Sequence, residues 1–233
     1  MIQLSASKLG ILKECERCFW DANNSKFFRP RGIFSSLPGG IDLVLKEYFN
    51  KFRGTLPPEL TGKVDGVLMS DLHTLNKWRS WRTGLTWEDA ALGVKLIGAL
   101  DDCLVDYPYT KDPKAEIYMP LDNKTKGSNP KDNGAQYYQL QLDCYGLLLQ
   151  TNGYKTNNKA FLAYYYPLTT QLENVNPGET ALRFGITTFC LESSPDRAVN
   201  EITRAVEILK DKRPTANPGC EWCKFGLMYS RKE

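Results

Sequence analysis

The sequence predicts a mixed α/β fold with a helical N-terminal portion and a cysteine-bearing C-terminal tail. Three observations carry this prediction. Two segments before residue 53 repeat their apolar residues at helical spacing. From residue 90 the period shifts toward two, as in strands with one buried face. After residue 134 a long helical pattern, two strand patterns and a capped helix follow one another.

Residues 5–24, "SASKLGILKECERCFWDANN", read as the first helix, with Ser5 or Ser7 as its cap and Leu9, Leu12 and Phe19 near one face. Residues 25–38 carry Pro, Gly and Arg and read as a loop. The segment 39–52 reads as a second helix, with Ile41, Leu45, Tyr48 and Phe52 at helical spacing. "RGTLPPELTG" is irregular, and a short helix is expected over 71–82. The mostly apolar run 90–106 and the alternating run 115–125 read as an antiparallel pair joined by a turn at "YPYTKDP". In the second run Ile117, Met119 and Leu121 face one way, and Tyr118, Asp122 and Lys124 the other. A strong helix covers 134–154 and closes at Asn152-Gly153. Strands are expected at 159–167 and 179–192. A helix capped by Ser194, with Pro195 at its first position, stops before Pro214. The tail "NPGCEWCKFG" reads as a turn carrying two cysteines. The expected organisation is one domain over 1–233, with a helical N-terminal region over 1–85, an α/β core over 86–212 and a tail over 213–233.

Composition narrows the function classes. The 233 residues carry a net charge of +3, which tolerates a polyanionic partner without announcing one. The basic clusters "RSWR" and "KDKR" read as solvated surface. There is one histidine, His73, in the polar stretch "SDLHTLNKW" that looks like the start of a surface helix. Zinc hydrolases that need two or three His ligands are therefore excluded, and a His-assisted nucleophile would have to rely on this residue. No apolar run is long enough to cross a bilayer, and "MIQLSASKLG" lacks the features of a signal peptide, so no membrane partner and a cytoplasmic location are expected.

"PLDNKTKG", residues 120–127, drives an apolar strand into an Asp followed two residues later by a Lys. Asp122 and Lys124 share a strand face. A carboxylate supplies hard oxygen ligands for Mg²⁺ or Mn²⁺, and an ammonium beside it can orient water or offset phosphoryl charge. One carboxylate seldom holds such an ion alone. The preceding strand offers Asp101 or Asp102, and the resemblance described next favours Asp101 through Gly98, three residues before it. The next helix adds Gln141 and Tyr145, one turn apart, which could contact a phosphate or a base. Basic residues Lys126 and Lys131 follow close behind.

Gly98-Ala99-Leu100-Asp101, then Asp122-Asn123-Lys124-Thr125, then Gln141 to Tyr145 resembles the PD-(D/E)XK nuclease superfamily, and within it the RecB-like branch that includes CRISPR-associated exonucleases. The opening "SASKLGILKECERCFW" is similar to that branch's first helix. The resemblance implies a restriction-endonuclease-like core, a central mixed sheet flanked by helices. It implies that Asp101 and Asp122 ligate Mg²⁺ or Mn²⁺, that Lys124 positions water, and that Gln141 and Tyr145 contact DNA or line the site. It implies a DNA nuclease, an exonuclease favouring single-stranded ends, in CRISPR adaptation, recombination or phage DNA processing, with protein partners in a DNA-processing complex. The alternative is a non-cleaving DNA-end or partner-binding module on the same fold. Many members carry a His on the helix before the strands. Here Asp42 stands in that region as a third acidic ligand, with Glu47 as its rival.

The seven cysteines include two C-x-x-C pairs, Cys15/Cys18 and Cys220/Cys223. Four thiolates suit one tetrahedral Zn²⁺ or a [4Fe-4S] cluster. In RecB-like nucleases with a cluster, the resemblance implies one cysteine from the N-terminal helix and three from the tail. Here Tyr229 stands about where the last would be, and Cys18 replaces it. Cys103, Cys144 and Cys190 read as core residues. A redox-active thiol pair lacks the strand-then-helix setting it would need.

Overall fold

The computed structural model describes residues 1–30, 35–107, 115–168, 173–174 and 176–230. The expected turn at 107–113 lies almost wholly outside them. In chain order the elements are β1 (Ile2–Leu4), α1 (Ala6–Glu14), α2 (Glu16–Trp20), α3 (Leu37–Asn50), β2 (Val67–Leu68), α4 (Leu72–Trp78), β3 (Leu85–Asp89), β4 (Val94–Gly98), β5 (Asp102–Asp106) and β6 (Ile117–Thr125). They continue with α5 (Gln139–Thr151), β7 (Lys159–Pro167), β8 (Glu173–Asn174), β9 (Thr180–Ala181), β10 (Phe184–Glu192), α6 (Pro195–Lys210) and α7 (Glu221–Ser230).

The central sheet is mixed, in the order β10-β7-β6-β5-β2. β5 and β6 pair antiparallel, as their alternation predicts, and Asp102 lies opposite Leu121. β6 and β7 pair parallel. Parallel neighbours need a crossover, and α5 supplies it. That connection lays α5 across the sheet face that carries Asp122. β10 closes the far edge against β7 in full register from Phe184–Pro167 to Glu192–Lys159. A smaller sheet, β1-β4-β3, stands beside the first.

Two apolar clusters sandwich the central sheet. Leu142, Cys144, Leu148, Leu162 and Cys103 pack on the α5 face with α1 and α6. Leu104, Met119, Leu121, Phe161 and Ala163 pack against Leu45 and Phe49 of α3. The alternation of Cys103 and Val105 with Leu104, and of Tyr118 with Met119, sorts these residues between the two faces. This is an α/β fold with a mixed sheet flanked by helices, of restriction-endonuclease-like type.

Several local expectations are corrected. The first helix is not continuous. Cys15 is extended (φ −164°, ψ 112°), ends α1 and starts α2. The apolar run 90–106 is two strands in different sheets, because the chain turns a corner at Ala99–Asp101 between β4 and β5. β1 and β3, the partners of β4, lie in segments with too little alternation to announce them. The helix expected over 71–82 ends at Trp78, and the helix from 134 opens as a 3₁₀ turn over Gly134–Tyr138. The strand expected at 179–192 is interrupted between β9 and β10. The tail turn runs straight into α7, with Cys223 in its first turn. Cys103 and Cys144 are buried, but Cys190 is exposed on the edge strand. Ser194 caps α6, accepting from Arg197 N, and Pro195 leads the helix as expected. No described helix is long and apolar enough to cross a membrane.

Candidate functional site

β6 carries the apolar residues Met119 and Leu121 into the core and then places Asp122 at the buried end of that run. Burial alone would penalise a carboxylate there, and the surroundings answer that penalty only in part. Lys124 Nζ lies 2.5 Å from Asp122 Oδ2. Gln141 donates its Nε2 to Asp122 Oδ1 at 3.1 Å. Apart from the Lys124 ion contact, Oδ2 has no hydrogen-bond donor among the described residues. This oxygen is buried and faces the Lys124 charge.

Asp101 stands at the corner before β5. Its carboxyl is close enough to Asp122 to act on it both by charge and through a hydrogen bond. Burial pushes the Asp122 carboxyl up, Lys124 opposes this, and Asp101 adds to it, leaving the group at about 7. The Asp101 charge makes ionisation of Asp122 costlier, a cost that a cation or a proton between them relieves. Burial works against the Lys124 charge, yet Asp122 and Asp101 outweigh it and raise its pKa. The ammonium also lies over the Tyr138 ring, 4.7 Å from its centre.

α5 holds the roof. Gln141 Nε2 donates to Tyr145 Oη at 2.6 Å, and Tyr145 Oη donates to the Ala99 carbonyl at 2.9 Å. The Tyr145 hydroxyl is kept neutral, its pKa raised well above the usual value by burial first and by the charges of Asp122 and Asp101. Asp101, Asp122, Lys124, Gln141 and Tyr145, expected from spacing and resemblance, are thus brought together at one end of β6.

Asp42 reaches the same neighbourhood through an intermediary. Lys46, one turn later on α3, lies 2.7 Å from Asp42 and 3.1 Å from Asp101. Burial lowers the Lys46 pKa, but Asp101 and Asp42 reverse the effect and raise it. Glu47 is exposed. Lys46 carries no motif of its own in the sequence, and its one local signal is the i+4 relation to Asp42. Asp102 points to the opposite face. It accepts two bonds from Arg53, at 2.7 and 2.6 Å, and one from Arg79 at 2.9 Å. Arg79 belongs to "RSWR", so that cluster is not all solvated surface. Lys126 and Lys131 are exposed beyond β6, and His73 is exposed on α4.

A second cluster lies at the chain ends. Cys15 and Cys223 are 3.6 Å apart at sulfur, as are Cys18 and Cys220, and all four sulfurs lie within 4.8 Å of one another. Burial pushes the Cys220 thiol up, but backbone N–H groups of Cys223 and Trp222 and the neighbouring thiols overcome this and bring it to about 7. Burial dominates at Cys18 and pushes it to about 12, partly countered by a hydrogen bond from Arg29. Four soft donors, three of them buried and Cys18 partly so, can hold a metal ion.

A model of the PD-(D/E)XK nuclease superfamily matches residues 41–226, a span that contains both halves of the acidic site and the Cys220/Cys223 pair. A search of curated proteins gives no match.

Proposed function

The chain belongs to the PD-(D/E)XK nuclease superfamily, and from that premise we propose that it is a Mg²⁺- or Mn²⁺-dependent deoxyribonuclease that hydrolyses phosphodiester bonds. The observation that carries this reading is the meeting of two carboxyls, Asp101 and Asp122, with the Lys124 ammonium at one strand end. The donor set suits the ion: hard carboxylate oxygens, with Asp122 Oδ2 buried and partnered by the Lys124 ammonium. When bound, a divalent cation there supplies Lewis acidity toward the scissile phosphate.

The chain's own residues do the rest. Asp101 and Asp122 hold the ion, with Asp42 the candidate for a third carboxylate once Lys46 gives up its place. Lys124 aligns the attacking water and offsets the charge that grows on the phosphoryl oxygens. Gln141 fixes the orientation of Asp122, and Tyr145 fixes Gln141 by anchoring it to the Ala99 carbonyl. Lys126 and Lys131, exposed beyond β6, are the candidates for holding the phosphate backbone, so binding should weaken with salt.

Single-stranded ends are the preferred substrate in this reading. Tyr137 is 68% exposed and stacks edge-on against Tyr138, the ring beneath Lys124. An exposed aromatic next to the reacting group offers a face for an unstacked base. Ends of this kind arise in CRISPR adaptation, recombination and phage DNA processing, and an exonuclease with partners in such a complex fits all three.

The test is cleavage of single- and double-stranded DNA with Mg²⁺, Mn²⁺ or chelator. Wild type should cut only with the ion, and Asp122→Ala and Lys124→Ala should each lose about 10²–10³-fold or more while keeping their far-UV circular dichroism. Wild-type rates in either variant would refute the mechanism. DNA binding by wild type with no cleavage under any ion would favour the non-cleaving module.

A further inference from the structure

We infer that Cys15, Cys18, Cys220 and Cys223 together coordinate one tetrahedral zinc ion, and not the four-iron cluster that the RecB-like resemblance implies. The inference rests on reading the four cysteines as a metal centre. It is independent of whether the chain cleaves DNA.

Sulfur spacing separates the two cofactors. Zinc binds thiolate at about 2.3 Å, so the edge of its sulfur tetrahedron is about 3.8 Å. In a four-iron cluster each thiolate binds a different iron, and the intervening core holds the thiolates roughly 6 Å apart. Here two sulfur pairs stand at 3.6 Å and none of the four exceeds 4.8 Å from another. The site is too tight for a core of irons and sulfides and the right size for one ion.

The backbone explains the spacing. Cys15 leaves helical geometry at the start of α2, and Cys18 follows in that helix. Cys220 accepts at its carbonyl from Lys224 N, 3.1 Å away, opening α7 with Cys223 in the first turn. Each C-x-x-C therefore presents two sulfurs from one turn of chain. The two halves cross, Cys15 against Cys223 and Cys18 against Cys220. A two-plus-two set of this kind closes a tetrahedron around a point. The tail brings two cysteines, Cys220 and Cys223, where the cluster-bearing plan has three.

The surroundings suit a tetrathiolate anion. The Arg29 guanidinium bonds Cys18 while also holding Glu14, and Arg213 lies within charge range of Cys223. The apolar lining of the pocket is supplied by Ala216. Such neighbours offset the net negative charge of a zinc ion bound by four thiolates.

The test uses the full chain, purified anaerobically from medium containing both iron and zinc, with metal, sulfide and absorbance measured. The expected result is about one zinc per chain, no acid-labile sulfide and a colourless solution. Co²⁺ exchanged into the protein should give the intense visible bands of tetrahedral thiolate cobalt, and Cys18→Ser should weaken them at unchanged protein concentration. About four irons with sulfide and a broad brown shoulder would overturn the inference, as would one iron without sulfide. Protein that carries no zinc and takes up no Co²⁺ would overturn the metal-centre reading itself. Because none of these readouts uses cleavage, an inactive nuclease would leave the zinc assignment unaffected.

Discussion

Asp101 and Asp102 are adjacent carboxyl side chains set to opposite tasks at the corner where β5 begins. Asp102 turns toward the α3 face, where Arg53 and Arg79 saturate it inside the protein. Asp101 turns toward Asp122 and leaves a quarter of its side chain exposed, 26%. Their substitutions should therefore differ in kind. Asp102→Ala strands two guanidinium groups against the core and should cost about 3–5 kcal/mol of stability. Asp101→Ala removes a carboxyl from a repulsive pair and should move stability by less than about 1 kcal/mol, while cleavage is lost. Urea melts of both variants beside a cleavage assay make the comparison. Equal destabilisation by the two would show that the division of labour is wrong.

At the scale of elements, the site depends on how closely α5 approaches β4. Gly98 permits that approach. A Cβ placed there would lie 2.2 Å from Leu148 Cδ1 and 3.7 Å from Tyr145 Cδ1. The glycine three residues before Asp101 therefore has a packing reason: it lets Tyr145 reach the Ala99 carbonyl and so holds Gln141 over Asp122. Gly98→Val should push α5 away, cost about 1–3 kcal/mol as overpacking, and reduce cleavage more than substrate binding. A variant with normal turnover despite reduced stability would separate the helix position from the chemistry. The same element shows why resemblance and periodicity agreed here. The i, i+4 spacing of Gln141 and Tyr145 is a local property, and the parallel β6-α5-β7 crossover turns it toward Asp122.

At the scale of the molecule, the four thiols join the two ends of the chain. Cys15 and Cys223 are separated by 208 positions, and α2 meets α7 there. Closing so long a loop removes much of the freedom of the unfolded chain, worth on the order of 5 kcal/mol. Arg213 reinforces the junction by gripping Asp21 through two bonds, at 2.6 and 2.8 Å. Stripping the thiolate metal with a chelator under reducing conditions should lower Tm by about 10 °C or more. Addition of Mg²⁺ alone should not restore it. A melting curve unchanged by chelation would show that packing of the ends, rather than the metal, carries this stability.

Local chemistry is legible in the order of residues. That order shows the change from helical to alternating period, the Asp-x-Lys strand end, the Gln/Tyr helix face and the two C-x-x-C pairs. The preference for Asp101 came from the resemblance, through Gly98 three residues before it. The missing pieces were non-local. β1 and β3 take their identity from pairing with β4, Lys46 matters because α3 brings it to Asp101, and Arg79 became structural because Asp102 faces it. Packing of distant segments set those contacts, the mutual approach of Asp101 and Asp122, and the sulfur spacing between the two C-x-x-C pairs. The reason is physical: periodicity is a property of a few neighbouring residues, whereas a distance between segments far apart in the chain is set by how whole elements pack.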